Sequence, residues 1–377
     1  MNKILSVIVL SLALQVSAQD KPADKPADKL ATKQTVRLFN NLKKLVTNGY
    51  MVGHQDALAY GVNWKYQPGR SDIKDVTGDY PAVYGWELGH LENGADRNLD
   101  SVPFGKMKQY IRQAYARGGV ITISWHGDNP MTGESAWHPA RGTVESILEG
   151  GDKHTAFIKQ LDKVADFFLS LRGTSGELIP VIFRPYHEHT GGWFWWGNAT
   201  TSDGSYIKLF RLTVDYLKNK RKVHNLLYAY NTGTEFTSAE TYLQRYPGDD
   251  VIDLLTFDCY QGTKPGSDSI YRRQMDQALT IVEAVALQKG KIAAVGETGS
   301  NQVPDGKWWT ETLAPVLAGH RFSYVLFWRN AGLKRKENQV EYFVPFKGQV
   351  SEADFLKFYK LPNTFFQKDV SYPRMYK

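Results

Sequence analysis

Residues 179–189 read IPVIFRPYHEH: an apolar run that breaks into Arg184, Tyr186, His187, Glu188 and His189. Seven other short apolar runs end the same way, in polar or aromatic residues, at 50–56, 81–88, 119–127, 225–233, 251–262, 291–299 and 322–331. Between most of them lie stretches with apolar residues at helical spacing, among them 104–116, 155–171, 206–217, 269–288 and 309–317. A further amphipathic helix precedes the first run, with Val36, Phe39, Leu42 and Leu45 in phase. Strand and helix alternating eight times predicts an α/β chain of the (β/α)8 TIM-barrel type in a single domain. A doubly wound open sheet shares the alternation, but its Gly-rich phosphate fingerprint after the first strand is missing. All eight C-terminal strand ends of a barrel converge on one face, where active sites sit, so polar residues scattered through the sequence become neighbours.

Two of those strand ends carry the strongest signals. After the fourth run, His187-Glu188-His189 leads into Gly191-Gly192-Trp193-Phe194-Trp195-Trp196-Gly197, and a carboxylate beside histidines and tryptophans is costly to bury without a purpose. At the end of the seventh, the apolar residues 292–295 deliver Glu297 to the barrel mouth. Two carboxylates are what glycosidic cleavage needs: one protonates the departing oxygen, and the other attacks the anomeric carbon or activates water. A separation of about 5–5.5 Å implies retention and about 6.5–9.5 Å implies inversion. Strict alternation puts Arg184, Tyr186 and Glu188 on one face and His187 and His189 on the other, so the strand must twist or end here for His187 to face the cleft. A metal-dependent barrel hydrolase is a rival reading, with His187 and His189 as an HxH pair and His54, His126 or Asp258 as further ligands. A glycan-binding protein that has lost turnover is a second.

The segment 184–197 resembles glycoside hydrolase family 26, whose main activity is β-1,4-mannan hydrolysis. Further points of similarity stand in the same order along the other strands: Gly53-His54-Gln55-Asp56, Ser124-Trp125-His126, Asp258-Cys259-Tyr260, Gly296-Glu297 and Phe327-Trp328-Arg329. The resemblance implies a retaining double displacement with Glu188 as acid/base and Glu297 as nucleophile; the two carboxylates then supply all the acid, base and nucleophile required, so no cofactor or metal is expected. It also implies that His187 lies close to the reacting sugar, that Tyr260 orients the nucleophile with Asp258 near it, and that Trp193 and Trp328 line the subsites. His126 and Trp137 match more loosely, toward the non-reducing side. The expected substrates are β-mannans or manno-oligosaccharides, with β-glucan or xylan as the alternative on the same barrel. The polar loop 89–103 would close the distal end of the cleft, giving a hypothesis of disaccharide release.

Composition limits the other choices. The chain has 377 residues and a formal charge of +7, but its basic runs at 218–222 and 334–336 are short and scattered, which excludes a nucleic-acid stripe. Aromatic residues make up 13%, including ten Trp and 21 Tyr, which suits a cleft that stacks against sugar rings. The only cysteine, Cys259, reads as a buried small hydrophobe and leaves no intramolecular disulfide. Lys3, the apolar run 4–16 and the small-residue site Val16-Ser17-Ala18 form a cleavable export signal over 1–18. A Lys-Pro-Ala-Asp tether follows over 19–34, with the catalytic domain at 35–377. No membrane anchor is expected, the location is periplasmic or secreted, and a monomer is the default.

Overall fold

In a computed structural model of the chain, residues 25–334 and 338–377 are described, so the expected export signal lies outside the described residues. Each of the eight apolar runs coincides with one strand, the seventh strand running one residue past its run: β1 (Tyr50–Gln55), β2 (Val83–Glu87), β3 (Val120–Trp125), β4 (Val181–Pro185), β5 (Leu226–Thr232), β6 (Leu254–Gln261), β7 (Ile292–Ser300) and β8 (Tyr324–Phe327). Neighbours pair in parallel in chain order, and β8 returns to β1 with Met51 opposite Tyr324 and His54 opposite Phe327. The sheet is therefore a closed barrel. β1 to β5 and β7 are buried at every position, because helices cover the outer face while side chains fill the inner one.

The outer layer forms where the helical spacing is strongest. α1 (Lys33–Leu45) starts on Thr32, whose side chain accepts from the Thr35 N–H, and buries Leu38, Phe39, Leu42 and Leu45. α2 (Phe104–Arg117), α3 (His154–Ser170), α4 (Asp203–Asp215) and α5 (Ser267–Lys289) follow β2, β3, β4 and β6. After β1 and β5 the helices are only one or two turns long, at Asp72–Thr77 and Ala239–Tyr242. The stretch expected as a helix over 309–317 is helical, opening with a π-helical turn at Trp308–Leu313 that buries both Trp308 and Trp309 and continuing as an α-helix at Ala314–Leu317. Among the described residues, no helix is long and apolar enough to cross a membrane.

The expected tether is corrected at its end. Pro26 and Asp28 are buried, and Asp28 pairs with His224 at 2.7 Å while the Ala27 N–H donates to Asp253 at 2.7 Å. Both partners precede strands, β5 and β6, so the segment docks on the face opposite the strand C-termini. Hydrophobic periodicity cannot detect a segment fixed by polar groups, which is why folded structure begins earlier than Thr35.

Candidate active site

The C-terminal mouth of the barrel opens into a cleft of about 370 Å³ that holds Glu188 and Glu297. A larger groove of about 820 Å³ lies outside the barrel, but its lining has no aromatic ring, and its Arg211 is already paired with Asp250. The mouth is the place where strand-end chemistry converges.

Glu188 reaches it through an irregular backbone. β4 stops at Pro185, and Tyr186 and Glu188 then take left-handed conformations with φ of 53° and 51°. Such geometry costs about 1–3 kcal/mol per non-glycine residue and persists only where surrounding bonds impose it. Here the Glu188 N–H donates to the Asn231 carbonyl at 3.0 Å, and the Trp196 indole N–H donates to the His187 carbonyl at 2.8 Å. The strand alternation ends as a result. His187 and Glu188 both line the cleft, while Tyr186 turns outward to the Thr213 hydroxyl on α4 at 2.8 Å. His189 packs between Tyr206 and Tyr230, with ring centroids at 4.2 and 4.8 Å. The two histidines diverge, so they do not form an HxH metal pair.

Glu297 is placed by a bulge. Val295 pairs with Phe257, but the next partner of Asp258 is Glu297, so Gly296 is an extra residue in β7. The pairing with β8 slips by the same residue, from Val325–Val295 to Phe327–Thr298. Only glycine fits there, since a Cβ would stand 2.1 Å from Asn231 Oδ1 and 2.6 Å from Asp258 Oδ1. The bulge aims the Glu297 carboxylate at two donors. Tyr260 O–H reaches Oε2 at 2.7 Å, and the buried Arg184 guanidinium binds Oε1 through Nη2 while Nη1 donates to Asp258 at 3.0 Å. Among the described residues, the donor atoms of His187, Asp258 and Glu297 form the one group that converges as metal ligands, within 4.8 Å. Arg184 already supplies the positive charge those two carboxylates require.

The two glutamates therefore sit in opposite environments. Glu188 accepts one hydrogen bond, from the Trp193 indole N–H at 2.9 Å. Burial and the nearby Glu297 charge push its carboxyl up to about 7, against the pull of Trp193 and Arg184. Tyr260 is held well above its usual range by burial and by the Glu297 charge, so it remains a donor. Burial, with Arg184 and His126 nearby, drives His187 well below the usual imidazole range and leaves it neutral. One carboxyl that keeps its proton near neutrality beside another held between a guanidinium and a phenol is an arrangement for acid-assisted displacement.

The walls are aromatic. Trp137 and Trp193 are 50% and 42% exposed, unusual for indoles, and Trp328 is half-buried on the opposite strand ends. Gly191 makes room for the Trp193 ring, which lies where its Cβ would be, at 2.1 Å. His126 stacks on Trp137 at 4.8 Å and meets His187 edge-on at 4.4 Å. Of the residues expected at the site, His126, Trp137, His187, Glu188, Trp193, Tyr260, Glu297 and Trp328 all line the cleft. Asp258 does not; it lies buried beneath, holding Arg184. His54 is buried in β1 and also absent from the wall.

Sequence reasoning assigned no role to Arg184, although it stands in the quoted strand and a charged residue inside an apolar run is itself a signal. It also missed Asn301, Glu341 and Phe343, which line the cleft from beyond β7 and β8, where no motif marks them. The loop 89–103 does reach the site: its Asp100 pairs with Arg329, which also bonds Glu341 at 2.9 Å beside Trp328.

The sequence model of glycosyl hydrolase family 26 matches residues 27–307. A mannan endo-1,4-beta-mannosidase from Bifidobacterium adolescentis is 34% identical over 348 residues, which are 87% of this chain and 34% of that protein. The chain thus spans about a third of that relative's length. The structure of a GH26 beta-mannanase from Bacteroides ovatus superposes with a TM-score of 0.87 at 44% identity, covering 92% of this chain and 98% of the other. A modular endo-beta-1,4-mannanase from Cellulomonas fimi gives 0.84 at 33% identity, over 94% of this chain and 79% of its own. Strand order, the two carboxylates and these matches agree, and the chain belongs to glycosyl hydrolase family 26.

Proposed function

We propose that the protein hydrolyses β-1,4-mannosidic bonds in mannans, galactomannans or manno-oligosaccharides by a retaining double displacement, with Glu188 as acid/base and Glu297 as nucleophile. The observation that carries the assignment is the asymmetry of the pair: Glu188 is raised to about 7 with a single neutral donor, whereas Glu297 is fixed by Arg184 and Tyr260. In the first step Glu188 gives its proton to the glycosidic oxygen as the Glu297 carboxylate bonds to the anomeric carbon, and the aglycone sugar leaves. Glu188, now ionised, takes a proton from water, which attacks the same carbon and releases Glu297. Trp137, Trp193 and Trp328 offer faces for sugar rings on either side of the reacting bond. The mannanase names carried by the relatives support mannan as substrate.

A digest of linear mannan, galactomannan, mixed-linkage glucan and xylan with product sizing tests the substrate. Release from mannans is expected, and equal or better release from glucan or xylan overturns the reading. Glu188→Ala should lose activity on mannan but retain it on a substrate with an activated leaving group, with rescue by azide, while Glu297→Ala should be inactive on both. The Asp100–Arg329–Glu341 link supports disaccharide release, because it ties the loop 89–103 to one end of the cleft; a broad ladder of early products would exclude it. Export rests on the sequence of residues 1–18.

A further inference from the structure

His126 joins the aromatic wall to the reacting centre, stacked on Trp137 and edge-on to His187, and its imidazole is gripped from behind. Glu87, the last residue of β2, is fully buried and has no share of the cleft surface. Its Oε2 meets His126 Nδ1 at 2.7 Å and accepts from the Ser124 hydroxyl at 2.6 Å. Its Oε1 accepts from the backbone N–H groups of His126 at 2.7 Å and Gly89 at 2.6 Å. Four donors fill the acceptor sites of this buried carboxylate. They favour the ionised form, and despite burial Glu87 is lowered to about 2 by His126 and these bonds.

With Nδ1 committed to Glu87, the ring nitrogen left for the cleft is Nε2. The ring plane is set as well, since it lies 12° from the exposed Trp137 indole. An imidazole anchored by a carboxylate at one nitrogen presents the other in a fixed direction, and when protonated it offers an N–H donor there. The charged groups that face it are Glu87 on β2, Arg184 on β4, Glu188 and the neutral His187 beyond β4, and Glu297 on β7. Burial lowers the His126 pKa, but Glu87 first and Glu297 second more than offset this, against Arg184, so the ring is raised above the usual imidazole value and its cationic form is favoured.

We propose that Glu87 is a positioning residue for substrate binding: acting through His126, it fixes Nε2–H as a charged donor to a hydroxyl of the sugar that stacks on Trp137. This rests on the cleft being a glycan site, as proposed above. Neither Glu87 nor its hydrogen bonds take part in bond cleavage. Loss of its charge is felt as weaker binding, with the donor converted to an acceptor once His126 loses its proton.

The test compares wild type, Glu87→Gln, His126→Gln and the double variant on a linear manno-oligosaccharide from pH 5 to 9, with kcat and KM separated. Glu87→Gln should raise KM about tenfold at pH 7.5, the loss of one charge-assisted bond, with a smaller change in kcat. KM should also acquire a rise with pH through the ordinary imidazole range that wild type lacks. The double variant should be no worse than His126→Gln. A fall in kcat at constant KM, or additive losses in the double variant, overturns the proposal. Independently of any substrate, 15N spectra of the histidine-labelled wild-type protein, assigned by the signal missing in His126→Gln, should show both ring nitrogens protonated at pH 7. A neutral ring there also overturns it, even if Glu87→Gln does not fold. A wild type inactive on all manno-oligosaccharides would instead count against the mannan reading, leaving the spectra to decide the role of Glu87.

Discussion

Glu188 carries its proton into the neutral range because burial and the charge on Glu297 oppose its ionisation. Its sign is that of a raised carboxyl: the acid form persists up to about 7 and is lost above it. Cleavage of unactivated mannan should therefore fall as pH rises through about 7, while a substrate whose leaving group needs no proton should show no such limb in its first step. The indole N–H of Trp193 favours the charged form, at 2.9 Å from Glu188 Oε2. Trp193→Phe keeps a ring but removes that donor, so the alkaline limb of kcat/KM on oligosaccharides should move to higher pH; a limb unmoved or shifted to lower pH would contradict the assignment. Glu188 and Glu297 stand out in the sequence because each is a carboxylate ending an apolar run. The left-handed backbone at Tyr186 and Glu188 does not, since it arises from contacts with Asn231 on β5 and with Trp196 farther along the same loop, which no local pattern marks.

At the scale of the strand, the extra residue in β7 converts an ordinary parallel pairing into a device for aiming a side chain. Gly296→Ala would bring a methyl within 2.1 Å of Asn231 Oδ1 and 2.6 Å of Asp258 Oδ1, both buried. The overpacking should destabilise the fold by about 1–3 kcal/mol, and the displaced Glu297 should lower kcat by about 10²-fold. Chemical denaturation and steady-state kinetics on the same preparation check both. A variant with wild-type kcat would show that the bulge does not position Glu297. Sequence periodicity finds strands because their burial repeats along the chain. It locates all eight here, but it cannot find a bulge, which is a mismatch between neighbours, nor the shortened helices after β1 and β5, whose lengths are set by what the barrel needs covered.

At the scale of the whole molecule, the barrel separates support from chemistry on its two faces. The segment before α1 belongs to the supporting face, where Asp28 is 4% exposed and paired with His224. Asp28→Asn should lower stability by about 1–2 kcal/mol and shift Tm by a few degrees, without changing kcat. A change in kcat with an unchanged melt would contradict that division. The other face holds the chemistry, in which Glu297 bonds to the sugar while Glu188 moves the proton. Incubation with a 2-deoxy-2-fluoro β-mannoside bearing an activated leaving group, followed by mass spectrometry of the digested protein, tests it most directly. A stoichiometric burst of leaving group and a fluoroglycosyl mass on Glu297 is the predicted result. A label on any other residue, or turnover with inversion and no adduct, would contradict it.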